Sequence, residues 1–194
     1  YVPDRGREGY GPNAPALLKL KEEGAGLVIT VDCGVTAFAP LQAAKAAGLD
    51  VVVVDHHVAE PHLPEAAAIV NPNRLDETPG HGQMAAIGVA FLLAVAVNRK
   101  LRQDGWYGDA RPAPDLMQWL DLVALGTVAD VVPLTGVNRA LVAQGLKVMG
   151  QRRNTGLRAL AEVASISERL GAYHCAFLFG PRINAGGRVG RSDL

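Results

Sequence analysis

The sequence is short of several things, and each shortage excludes something. It has two cysteines in 194 residues, Cys33 and Cys175, too far apart in the chain to carry a metal-binding spacing. That leaves no disulfide scaffold and no thiolate metal cluster, and it fits reduced thiols in a cytoplasmic protein. Aromatic residues make up 5% of the chain, which disfavours an aromatic base-stacking platform. No apolar run reaches the roughly 20 residues of a membrane span. The most apolar stretch, residues 84–97, is followed by Asn98, Arg99, Lys100 and Arg102. A basic last turn suits a helix C-terminus, and the stretch reads as a buried core helix. No signal peptide is visible.

Net charge is absent too, at zero, but the zero is a cancellation. Residues 1–138 hold ten Lys or Arg against sixteen Asp or Glu, and residues 139–194 hold nine against three. An acidic part suited to divalent cations thus precedes a basic part suited to phosphates, although solvated charge runs often arise without function.

What is present is an α/β pattern with polar residues where strands end. Residues 51–54 are four valines, a buried strand by their β-branching and lack of alternation. Asp55-His56-His57 follows directly. A second apolar run, residues 27–31, ends at Asp32-Cys33-Gly34, and the Ala-rich residues 36–47 with Gly48 after them read as a helix with a glycine C-cap. Strand, helix, strand is a βαβ unit, and its crossover makes the strands parallel. Asp32 and His56 then emerge at one sheet edge, where open α/β sheets bind ligands. Oxygen and nitrogen donors there suit Mn²⁺ or Mg²⁺. An isolated Asp-His-His fits a solvated turn equally well. Asp130 stands in the apolar stretch 122–134, where a charge needs a partner: a metal ion, a helix cap or a buried hydrogen bond. Cys33 has no adjacent base and reads as a small buried residue.

Further helices are expected over residues 14–23, 116–125, 138–149 and 157–163, and a short strand over 66–70. Residues 104–114, with two glycines and two prolines, read as a surface loop, and 151–156 as an exposed junction. Gly180, Gly186, Gly187 and Gly190 surround Arg182, Arg188 and Arg191. Glycines let backbone amides approach an anion, and arginine grips phosphate in a fork.

Val31-Asp32-Cys33-Gly34, Asp55-His56-His57 and Gly126-Thr127-Val128-Ala129-Asp130 together resemble the second, third and fourth motifs of the DHH phosphoesterase superfamily. Residues 2–5 with 8–11, and the stretch Gly180 to Arg188 containing Pro-Arg-Ile-Asn-Ala, resemble its RecJ-type single-strand-specific 5′ to 3′ DNA exonucleases. Residues 69–72 and 88–91 also look like family segments. The first motif of the family, an Asp-x-Asp-Gly turn, is not in this sequence, so a chain cut at both ends is expected.

The resemblance implies a parallel sheet flanked by helices. A partial DHH domain is expected over residues 1–150, and residues 151–194 as a helical connector and the start of the basic Arg/Gly-rich segment. It implies two divalent cations, Mn²⁺ or Mg²⁺, one of the sites incomplete here. Asp32 would bridge them, and His56 and Asp130 would ligate one ion. His57 would contact phosphate and Asp55 would orient an imidazole. Arg182, Asn184 and Arg188, with Arg5 and Tyr10, would hold the DNA strand. The implied activity is hydrolysis of single-stranded DNA from its 5′ end in repair and recombination, with a single-strand-binding protein and a helicase as partners, no membrane, and little activity in this piece alone. A nano-RNA or phosphonucleotide phosphatase and a non-catalytic DNA-binding scaffold remain alternatives; a manganese pyrophosphatase fits the terminal Arg-Ile-Asn-Ala segment poorly. His62, His81 and His174 have no comparable context.

Overall fold

The computed structural model describes residues 1–76 and 80–189, with side chains through residue 186. Among the described residues, backbone packing forms two compact units: residues 1–89 with 185–189, and residues 90–184.

In the first unit, helix α1 (Ala14–Glu22) starts where the Asn13 side chain accepts the Ala16 amide at 2.8 Å, with proline in the first turn. Strand β1 (Leu27–Val31), helix α2 (Phe38–Ala46) and strand β2 (Asp50–Val54) form the expected βαβ unit. A third strand, β3 (Ala68–Val70), completes a parallel sheet of order β1-β2-β3. The register pairs Val31 with Val54, and Val54 with Val70. All three strands therefore end at one level, and the turns that follow them share one edge. Leu17, Leu41, Ala44, Leu49, Val51 and Val53 form the core between the helices and the sheet. Gly34 is required in the turn after β1: it has φ 116°, and a Cβ there would lie 2.9 Å from Thr30 Oγ1.

Helix α3 (Ala86–Gln103) is longer than its apolar run. It is not the buried core helix expected. Ala86, Gly88 and Val89 are buried, but Leu92, Val95 and Val97 are exposed. Hydropathy reports composition, and this helix carries its apolar residues around its circumference.

The second unit is helical. A 3-10 turn (Leu116–Trp119) leads into α4 (Leu120–Ala129), followed by α5 (Gly136–Met149) and α6 (Thr155–Val163). A π-helical turn (His174–Phe179) then runs into α7 (Gly180–Val189). Ala124, Val128, Val142, Met149, Ala161, Cys175 and Phe179 lie in its core. The expected exposed junction at 151–156 is tied down: the Arg152 guanidinium donates to the carbonyls of Ile166, Ser167 and Glu168. Gly180, Gly186 and Gly187 lie in α7. Pro181, which has no N–H to donate, sits where the π-helical turn passes into α7.

α4 and α5 approach closely because position 145 has no side chain. A Cβ there would sit 2.0 Å from the Leu120 carbonyl oxygen and 2.6 Å from Ala124 Cβ. Gly145→Ala gains about 1 kcal/mol in helix propensity and costs about 3 kcal/mol in overpacking, a net loss of about 2 kcal/mol. Urea denaturation of the variant should show that loss with an unchanged m-value, whereas equal or higher stability would mean that α4 and α5 separate freely.

Candidate metal centre

The centre is built by the turns after β1 and β2. Asp32, just past β1, continues the ladder by donating its amide to the Val54 carbonyl at 2.9 Å. Its backbone is left-handed, φ 62°, a conformation aspartate tolerates better than most residues. The Tyr10 hydroxyl donates to the Asp32 carbonyl. Asp32, His56 and His57 each offer one ligand atom, and these atoms lie within 4.8 Å of one another. The sequence expectation that Asp32 and His56 share a sheet edge is met.

Both imidazoles are fixed by what their Nδ1 atoms touch. His56 Nδ1 lies 3.0 Å from the Met84 carbonyl. A carbonyl only accepts, so Nδ1 carries the proton and Nε2 of the neutral ring is a lone pair. His57 Nδ1 lies 2.7 Å from Asp55 Oδ1, which sets the same tautomer and leaves its Nε2 available. The rings are 4.6 Å apart between centroids.

This arrangement gives a test of whether a cation fits. His56 Nε2 and Asp32 Oδ1 are 3.2 Å apart. With Nδ1 committed to Met84, a neutral His56 would put two acceptors face to face. A cation placed between them would meet a ligand atom from each. One carboxylate and two imidazoles suit Mn²⁺, whose preferences span oxygen and nitrogen donors.

Asp55 is 1% exposed and holds the turns together. Its Oδ2 accepts the Val35 amide at 3.0 Å, and its Oδ1 accepts the His56 and His57 amides and the His57 ring. Burial pushes its pKa up, but the bonds from Val35, the His57 ring and the two histidine amides outweigh it, so the carboxyl ends below its ordinary value.

Four supports escaped the sequence. Met84 acts through a backbone carbonyl and the Val35 amide through a backbone donor, and neither needs a particular side chain. Asn71 donates to the His57 carbonyl at 2.9 Å, and Asn73 donates to the carbonyls of His56 and Gly82. Asn71-Pro72 after a short strand was the available signal for the last two.

The other expected residues fall as follows. Tyr10 sets its ring edge-on to His57 at 6.1 Å, and Arg5 lies over the Tyr10 ring at 5.4 Å. Burial, then the Asp32 charge, pushes the Tyr10 hydroxyl up to about 12. Cys33 is half-buried rather than buried. Burial, then the Asp55 and Asp32 charges, pushes its thiol up to about 11, so it stays protonated at neutral pH and is no nucleophile. Asp130 lies in the second unit as the C-cap of α4 and is exposed. The helix ends there, so this charge of the apolar stretch stands at the surface. Val131 after it has φ 61°, a strained conformation for a β-branched residue. Arg182 and Asn184 are exposed, and the Arg182 guanidinium donates to the Leu178 carbonyl at 2.8 Å. The side chains of Arg188 and Arg191 lie outside the described residues. His174 is a packing residue, accepting the Gly171 amide and meeting Glu168 at 3.0 Å.

Because the folded Asp55 carboxyl titrates below its unfolded value, its stabilisation is complete above about pH 4 and is lost as pH falls through the folded value. Asp55→Ala strands the Val35, His56 and His57 amides, the first of them buried, and should cost about 3 kcal/mol at pH 7. Melting curves should show this cost shrinking toward pH 3. A cost unchanged between pH 7 and pH 3 would remove Asp55 as the keystone of the turns.

Comparison with known proteins agrees with this geometry. Residues 1–127 match the model of the DHH family, N-terminal domain. The single-stranded-DNA-specific exonuclease RecJ of Salmonella typhimurium is 42% identical over 97% of this chain and 33% of its own length. The chain thus spans about a quarter to a third of the curated relatives it matches. Among solved structures, exonuclease RecJ bound to manganese aligns with a TM-score of 0.82 and 36% identity, covering all of this chain and 46% of that one. RecJ of Thermus thermophilus in complex with Mn²⁺ aligns with a TM-score of 0.71 and 37% identity, over 91% of this chain and 25% of that one. With its family pattern over residues 1–127 and the Asp-His-His turn at the end of β2, the chain belongs to the DHH family.

Proposed function

We propose that this chain carries the metal-binding part of a single-strand-specific 5′ to 3′ DNA exonuclease that works with two divalent cations, Mn²⁺ or Mg²⁺. The observation that carries the reading is the convergence of Asp32, His56 and His57 within 4.8 Å at the end of parallel strands. Relatives named as single-stranded-DNA-specific exonucleases, and a relative solved with manganese, supply the substrate and the metal.

Asp32 would hold the divalent cations as their shared carboxylate, and His56, through Nε2, and Asp130 would hold one of them. A bound divalent ion supplies Lewis acidity toward a phosphodiester and lowers the pKa of water. The chain's own residues do the rest. The Met84 carbonyl holds the His56 ring by Nδ1 and leaves its Nε2 lone pair available to a cation. Asp55 keeps the proton of His57 on Nδ1, so His57 meets a phosphate oxygen through Nε2 and needs an added proton there to donate. Arg5 and Tyr10, with Arg182, Asn184 and Arg188, hold the strand by phosphate contacts, which fix position without reading bases. The proposed organisation is a DHH domain over residues 1–150 and a basic connector over 151–194. The setting is cytoplasmic DNA repair and recombination, with a single-strand-binding protein and a helicase as partners. No helix among the described residues is long and apolar enough to cross a membrane. Spanning about a quarter to a third of its relatives, the isolated chain should bind metal weakly and show no robust nuclease activity.

Mn²⁺ binding to the 194-residue chain, followed by paramagnetic resonance, tests the reading. Asp32→Ala and His56→Ala should each weaken binding at least about tenfold, in line with loss of a direct ligand. Wild-type Mn²⁺ affinity in Asp32→Ala would reject the bridging role.

A further inference from the structure

We propose that the loop after α3 is a base-stacking site for single-stranded nucleic acid, built by Trp106 and Tyr107 with Arg111 and Arg102. It rests on the reading of the substrate as single-stranded DNA and names a contact that the metal centre does not require. The chain is poor in aromatics, yet its loop places two side by side, and each is paired with an arginine. Arg111 lies over the Trp106 ring at 4.1 Å, and Arg102 over the Tyr107 ring at 5.8 Å. Such pairs occur about once per 70–80 residues; here two fall within ten.

The loop is shaped rather than slack. Gly105, with φ 69°, ends the helix, and the Trp106 amide returns to the Leu101 carbonyl at 2.9 Å. Gly108 and Arg111 exchange backbone hydrogen bonds of 3.0 and 2.9 Å, closing a tight turn. That turn sets Arg111 against Trp106. The indole remains 53% exposed, so covering one face with a guanidinium still leaves ring surface for a second planar group.

The charge identifies the partner. Residues 98–111 carry four Lys or Arg against two Asp or Glu, and Lys100 pairs with Asp104 at its Nζ. An exposed π face next to excess positive charge matches a polyanion whose bases are free to stack. In a duplex the bases stack on each other and offer no face. An aliphatic peptide would gain little from rings already topped by guanidinium groups.

The test uses the full 194-residue chain with metal chelated, and an oligothymidylate of about twenty nucleotides followed by fluorescence anisotropy. Trp106→Ala should weaken binding about tenfold, while Trp106→Phe, which keeps a ring, should lose about threefold or less. Duplex DNA of the same length should bind Trp106→Ala and wild type alike. Arg111→Gln should lower the salt slope by about one. The melting temperature of each variant checks that the fold persists. Oligothymidylate affinity unchanged in Trp106→Ala overturns the proposal, and a loop that docks a protein instead would give that result. Wild type that fails to bind oligothymidylate overturns the DNA reading itself, so the two failures are distinct.

Discussion

Asp55 is the constraint on which the rest of the site depends. One buried carboxylate collects the Val35 amide from the turn after β1, and the His56 and His57 amides and the His57 ring from the turn after β2. Parallel register brings the ends of β1 and β2 to the same level, but register alone does not fix the conformation of two irregular turns. Asp55 does, because four donors converge on a group that water cannot reach. An unpaired buried carboxylate is costly, so the turns must stay where their amides satisfy it.

From that lock the chemistry follows by hydrogen-bond logic. His57 is held in one tautomer by Asp55 and His56 in the same tautomer by Met84, so both rings present Nε2. The facing acceptors, His56 Nε2 and Asp32 Oδ1, then create a place where positive charge is welcome. Tyr10 closes the arrangement from the N-terminal loop, its hydroxyl on the Asp32 carbonyl and its ring against His57. The site is preorganised by groups that would not themselves touch a metal.

Much of this was legible in the sequence, where local chemistry and topology agree. The valine run, the Ala-rich crossover and the turn residues gave the parallel pair, and with it the meeting of Asp32 and His56. Asp55 was legible as an orienter, but its bond to Val35 was not, because a backbone amide has no sequence signature. The same holds for the Met84 carbonyl. The setting of Asp130 was not legible, because an apolar stretch does not say where its helix ends, and the residue proves to be an exposed C-cap. The glycines around Arg182 drew attention for open backbone amides, and the segment from Gly180 to Val189 is helical. α3 has the composition of a core helix, but burial depends on what surrounds it. Poverty in aromatics hid Trp106 and Tyr107, since composition averages over a chain and a stacking site needs only a pair.

The ends of β1 and β2 offer a cradle for a divalent ion. Anomalous diffraction from crystals of the chain soaked in Mn²⁺ measures it directly. A manganese peak is expected within about 2.5 Å of an Asp32 carboxylate oxygen and of His56 Nε2, with His57 Nδ1 still on Asp55. Manganese bound elsewhere, with His56 Nε2 still directly on Asp32, would contradict it.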